Sequence, residues 1–233
     1  MLWLSLKCLR CLIMKQALKS ISFLLVALGI YSPSFAHVIV GELEKMSRSE
    51  TAIIYFKLGY HHILPLGLDH VLFVLSLFLL SPKLKHVIVQ STAFTAAHTI
   101  TLGLAMYQVI HAPSKIIEPL ISISIMLVAA ENIFFPKLKP ARIGIVFLFG
   151  LVHGLGFASA LSQMGLPANS YLSSLLMFNV GVEAGQLTVI LLAFLLLGKW
   201  FGQKAFYRKL IVVPLSVVII LVAGYWTIAR IFY

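Results

Sequence analysis

Apolar and polar positions alternate along this chain on the scale of whole helices. Six long apolar runs, at about 58–80, 87–110, 116–135, 143–162, 171–198 and 210–229, are separated by short loops rich in Pro, Lys and Arg. Each run holds the ~20 residues that a helix needs to cross a bilayer. The pattern predicts an all-α polytopic membrane helix bundle of about six transmembrane helices, following a cleaved signal peptide. The signal is read at residues 1–36, where Lys15 and Lys19 precede the apolar run Ile21–Ile30 and Ser34-Phe35-Ala36 forms a small-x-small cleavage site. Residues 37–57, with Glu42, Glu44, Lys45, Arg48 and Glu50, read as a short extracytoplasmic lead-in, and 58–233 as one transmembrane domain.

Composition narrows the class. The chain is 61% hydrophobic and only 11% charged, too apolar for a soluble domain of 233 residues. Its net charge of +11 is spread in small clusters between apolar runs, which orients a membrane protein and does not make a nucleic-acid surface. Lys83 and Lys85, then Lys137, Lys139 and Arg142, then Lys199, Lys204, Arg208 and Lys209 follow alternate spans, so those loops are expected in the cytoplasm. Mature N-terminus and C-terminus then both face outward, in a plasma membrane of bacterial type. Cys8 and Cys11 lie in the removed segment, which leaves the mature chain without a thiolate ligand.

The chemistry lies where polar residues interrupt the apolar runs. The run at 58–80 carries His61, His62, Asp69 and His70, and Asp69 is the sole aspartate of the chain. Read as one helix, the run places Asp69 roughly 16 Å from either end, and His62, Asp69 and His70 on one face. An ionisable group at that depth costs about 2.5–3.5 kcal/mol or more and marks a functional site. Pro65 and Gly67 loosen the backbone between them. His98 is central in the second run, with Ser91, Thr95 and Thr101 on the same side; His153 is central in the fourth. Glu183 is central in the fifth, flanked on one face by Asn179 and Gln186. Glu131 and Asn132 lie toward the cytoplasmic end of the third run. The small-residue pairs Gly150/Gly154 and Gly181/Gly185 are expected to let helices approach closely. The sixth run, with no ionisable residue before Arg230, reads as scaffold.

A lone histidine in a bundle is ordinarily a hydrogen-bonded core residue. Several at one level together with carboxylates point to a metal site, formed by His62, Asp69, His70, His98, His153 and Glu183 and supported by His61, Glu131, Asn132, Asn179 and Gln186. A proton relay or a salt-bridged polar core is the competing reading. Imidazole and carboxylate without sulfur suit Ni, Co, Zn or Fe and disfavour Cu(I). His37, exposed by signal cleavage, pairs a terminal amine with an imidazole that can chelate Cu(II) or Ni(II), or simply follows the cleavage site.

The segments Gly59-Tyr-His-His-Ile-Leu-Pro-Leu-Gly-Leu-Asp-His-Val-Leu-Phe73, Phe94-Thr-Ala-Ala-His-Thr-Ile-Thr-Leu102, Glu131-Asn132, Phe149-Gly-Leu-Val-His-Gly-Leu-Gly-Phe-Ala158 and Phe178-Asn-Val-Gly-Val-Glu-Ala-Gly-Gln186 together resemble the HupE/UreJ family, over about residues 58–230. The resemblance implies a hydrogenase- or urease-accessory membrane protein concerned with nickel or cobalt, with hydrogenase or urease maturation factors as partners beside the lipid bilayer. It implies the same six metal-handling residues. The leading function is a Ni²⁺ or Co²⁺ permease. The alternatives are an intramembrane metalloenzyme, with Glu183 or Asp69 as general base, and a non-transporting assembly factor.

Overall fold

The computed structural model describes residues 46–135, 137–164, 166 and 170–232. The expected signal segment with Cys8 and Cys11, and the expected new terminus His37, lie outside the described residues.

The described residues are helical throughout, with no strand among them. Helix α1 spans Arg48–Ile63, α2 Leu68–Leu80, α3 Leu84–Met106, α4 Ser114–Phe134 and α5 Arg142–Met164. Helix α6 runs Tyr171–Phe201 with a π-helical stretch at Phe194–Gly198, and α7 runs Arg208–Phe232, opening with a π-helical turn. Helices α3 to α7 are each long and apolar enough to cross a membrane. Their outward positions are large apolar side chains, such as Leu148, Leu196, Leu221 and Phe232, which suit lipid and not water. The chain is a multi-pass membrane protein.

The first expected span departs from the sequence reading. Residues 58–80 are not one helix: α1 and α2 meet at a 68° bend, and the helix begins ten residues earlier, inside the expected lead-in. Its start is fixed by a capping box, in which Ser47 Oγ accepts from Glu50 N–H (3.3 Å) and Glu50 Oε2 accepts from Ser47 N–H (2.9 Å). Its end follows from Pro65. The residue before a proline is steered out of helical geometry, and Leu64 is extended (φ −125°, ψ 115°). The chain then folds back so tightly that a Cβ at Gly67 would lie 2.1 Å from His62 O. Only glycine fits there, and that contact is what places the start of α2 beside the end of α1.

Helix α2 has 13 residues, about 20 Å by helical rise, too short to span alone. It is instead the centre of the bundle, touching α1, α3, α4, α6 and α7. Phe73, Val74, Leu77, Phe78 and Leu79 are all buried. Around it stand three closely packed pairs, α1 with α6, α3 with α5 and α4 with α7. Glycines set two of these contacts, as the small-residue pairs led us to expect. An added Cβ at Gly181 would meet Phe56 O at 2.0 Å and one at Gly59 would meet Phe178 O at 1.9 Å. One at Gly154 would meet His98 O at 2.3 Å. Backbones therefore touch at these crossings, and side chains beside them are forced together.

The loop cation Arg142 also departs from expectation. It starts α5 but is only 1% exposed, turned inward to Glu131 (3.4 Å), Asn132 Oδ1 (3.2 Å) and Ser76 O (3.4 Å). Arg208 donates to the carbonyls of Asn132 and Ile133 at the end of α4. Asn132 in turn donates to Ser76 O (2.8 Å) and reaches Ser216 Oγ (3.4 Å). Glu131 and Asn132 thus belong to a polar knot joining α2, α4, α5 and α7, apart from the histidines.

Candidate metal centre

Four helices each deliver one imidazole to one place. His62 comes from the last turn of α1 and His70 from the first turn of α2, brought together by the turn at Gly67 and not by helical periodicity. His98 of α3 and His153 of α5 both reach the His70 ring, because α3 and α5 pack so closely at Gly154 that an added Cβ would stand 2.3 Å from His98 O. The ring centroids of His62 and His70 are 4.8 Å apart, those of His70 and His98 5.8 Å, and those of His70 and His153 5.3 Å. One ligand atom from each of His62, His70 and His98 falls within 4.8 Å of the others.

The hydrogen bonds fix which nitrogen is offered. Asn179 donates its amide to Leu175 O (2.8 Å), which turns its Oδ1 to accept from His98 Nδ1–H (3.1 Å). His153 Nδ1–H donates to Phe149 O at 2.9 Å. A carbonyl oxygen only accepts, so in both rings Nε2 keeps its lone pair. The Nε2 atoms of His62, His70, His98 and His153 are all buried and without a hydrogen-bond partner. An unpaired buried polar atom costs about 1–3 kcal/mol, and three of these four rings, His62, His70 and His98, bring ligand atoms within 4.8 Å of one another, while His153 reaches them through its ring contact with His70. A cation with a preference for nitrogen donors fits that donor set. Phe73, Phe94, Phe157 and Phe178 wall the cluster, with Phe157 3.9 Å from the His62 ring and Phe94 4.8 Å from that of His153.

The carboxylates go elsewhere, which corrects the expectation of one mixed level. Glu183 Oε1 accepts from Thr92 (2.8 Å), and its Oε2 accepts from the Thr95 hydroxyl, at the seam of α3 and α6. Gln186 beside it accepts from Ser91. Asp69 opens α2 and is ion-paired with Arg230 Nη2, at 2.9 and 3.1 Å to its two oxygens. Arg230 Nη1 donates to Glu118 O at 3.2 Å. Since Arg230 is in the last turn of α7 and Glu118 near the start of α4, Asp69 lies toward one end of the bundle and not at its midpoint. His61 is exposed, outside the cluster.

A cavity of about 230 Å³ joins the two regions, with Asp69, Glu118 and Arg230 at its polar mouth and His62, His70 and His153 on its inner wall. Sequence reasoning missed Arg230 and with it the role of the sixth span. The signal was present: a lone aspartate in an apolar segment needs a cation, and Arg230 is the only one in the last span's C-terminal half.

Comparison with curated proteins and with solved structures found no match. A family model described as HupE / UreJ protein matches residues 40–230, which takes in α1 to α6, α7 as far as Arg230, and all four imidazoles. The chain therefore belongs to the HupE / UreJ family.

Proposed function

We propose that this protein carries a divalent transition-metal ion, Ni²⁺ or Co²⁺, through the membrane. The single observation behind this reading is the set of four buried, unpartnered Nε2 atoms, three of them on rings (His62, His70 and His153) that line a cavity with Asp69 at its mouth. Family membership points to nickel- or cobalt-related accessory proteins and not to enzymes, which favours handling of the ion over chemistry performed with it.

Asp69 and Glu118 attract a hydrated cation to the mouth. Further in, His62, His70, His98 and His153 replace water ligands with neutral imidazole nitrogens, whose geometry selects nickel or cobalt over harder ions such as Mg²⁺. Asn179 and Phe149 O hold two of the rings in the tautomer that binds. Neutral donors hold the ion without trapping it, because they contribute no net charge. Loop charge orients the cavity mouth outward, with both termini extracytoplasmic in an inner membrane of bacterial type.

The test is metal content of the purified protein followed by flux. Wild type in proteoliposomes is expected to pass Ni²⁺ or Co²⁺ saturably down a gradient. His70→Ala and His153→Ala should lose both bound metal and flux while still folding. Metal retained by both variants would reject the site. Metal bound with no flux in wild type would reject transport and favour the assembly role.

A further inference from the structure

The ion pair at the cavity mouth differs in kind from the one at the other end of the bundle. Arg142 is sealed, its side chain 0% exposed, whereas Arg230 and Asp69 keep 23% and 27% of theirs. Water reaches the outer pair, so its partners can be exchanged. Asp69 is also one residue from His70, whose ring forms the inner wall of the same cavity. A cation that replaces Arg230 on Asp69 is thereby beside the first imidazole.

Charge at the mouth says what that cation should be. With Arg230 seated, its guanidinium neutralises the Asp69 carboxylate and donates to the Glu118 backbone carbonyl. With Arg230 swung out to solvent, the Asp69 carboxylate is left unpaired. A monovalent ion replaces the guanidinium one charge for one and loses its multiple hydrogen bonds. A divalent ion brings Asp69 twice the charge, and the imidazoles lining the same cavity offer it nitrogen donors. Trp226 lies 5.5 Å from the guanidinium and supplies an aromatic face on the same helix against which it rests.

We propose that Arg230 is a selectivity latch: it occupies Asp69 until a divalent cation displaces it, and so controls entry to the imidazole cluster. This rests on the metal-handling reading above. It makes Arg230 a specificity-determining residue that holds no metal itself. The other role for such a pair is a tether joining α7 to α2 and α4, which would leave entry rates and ion selectivity unchanged.

The experiment uses the full chain in nanodiscs of neutral lipid, mixed rapidly with cobalt chloride. The ligand-field absorption of imidazole-bound Co²⁺ reports loading. We expect Arg230→Gln to reach the wild-type spectrum about tenfold faster, as removal of a like charge from a charged cleft allows. Asp69→Asn, which leaves Arg230 alone at the mouth, should load more slowly than wild type. The double variant should show no gain from Arg230→Gln over Asp69→Asn of the size seen in the wild-type background. Replacing choline by potassium at constant ionic strength should slow Arg230→Gln, whose Asp69 is free to hold K⁺, and leave wild type unchanged. Equal loading rates in wild type and Arg230→Gln, or the full gain persisting in the double variant, would overturn the latch and leave the metal site standing. Should Arg230→Gln fail to fold, wild-type loading by Asp69→Asn overturns it equally. No imidazole-type spectrum in wild type would remove the site and the latch together.

Discussion

Replacing Asn179 by leucine keeps roughly the shape of the side chain and deletes the acceptor that orients His98. In the folded protein Asn179 joins Leu175 O to His98 Nδ1, at 2.8 and 3.1 Å. The substitution leaves a buried Nδ1–H unpaired, worth about 1–3 kcal/mol of stability. It also frees the ring to turn or to change tautomer, after which Nε2 no longer faces His62 and His70. Loss of such an outer partner weakens metal binding about 10–100-fold. That corresponds to ~1.4–2.7 kcal/mol of binding free energy. The assay is competition for Co²⁺ or Ni²⁺ against a coloured chelator in detergent, with thermal unfolding measured in parallel. Asn179→Asp restores an acceptor and should recover most of the affinity. His86→Ala is the control: its Nδ1 bonds Ser81 Oγ at 3.0 Å, and twelve residues of helix put it about 18 Å from His98. A folded Asn179→Leu variant with wild-type affinity would refute the argument that His98 binds through an oriented Nε2.

Gly154→Val should push α3 off α5, because its Cβ would stand 2.3 Å from His98 O; we expect a loss of about 1–3 kcal/mol in unfolding and disappearance of the cobalt spectrum. Arg142→Met leaves Glu131 without its cation and should cost about 3 kcal/mol, the low end for a broken buried pair since Glu131 is 16% exposed; adding Glu131→Gln should return part of the loss, and no recovery would remove the ion pair as the cause. Reporter fusions after Lys85, Lys139 and Lys204 are expected to read as cytoplasmic and one at Ser114 as external; reversal at two of these would overturn the charge-based orientation and the direction of the proposed path.

The helical spans were legible because a bilayer demands long unbroken apolar runs, and five of the six expected runs appear within a few residues of their expected ends. His62, His70, His98 and His153 were legible as polar residues with no reason to be in apolar helices. What could not be read was which of the polar residues meet. Spacing along one helix says which side chains share a face, and says nothing about the helix opposite. Glu183 and Asp69 were expected at the level of the histidines, yet threonine hydroxyls take one and Arg230 the other. Pro65 and Gly67 were visible, but whether they soften a helix or break it is decided by how tightly the chain folds back at Gly67, which their spacing does not show. Arg142 looked like a loop cation because the loop charge pattern ignores a side chain that folds back into the bundle.

The broken first span has a consequence for how the protein is made. Helix α1 carries Arg48, Glu50 and Lys57 and does not by itself meet the length and apolarity of a membrane span; α2 is too short. The surface that covers α1, around Gly181, is synthesised about 120 residues after Gly59, a delay of roughly 6–24 s at translation rates of ~5–20 residues/s. During that interval His61, His62, Asp69 and His70 are on a segment that lipid does not welcome, with neither α6 nor Arg230 yet available. Helices α1 and α2 are therefore expected to wait at the insertion machinery or at the water interface, and to settle only when the last two helices arrive. Truncations that end before α6 should leave α1 and α2 open to protease, while the same residues in the complete chain are protected.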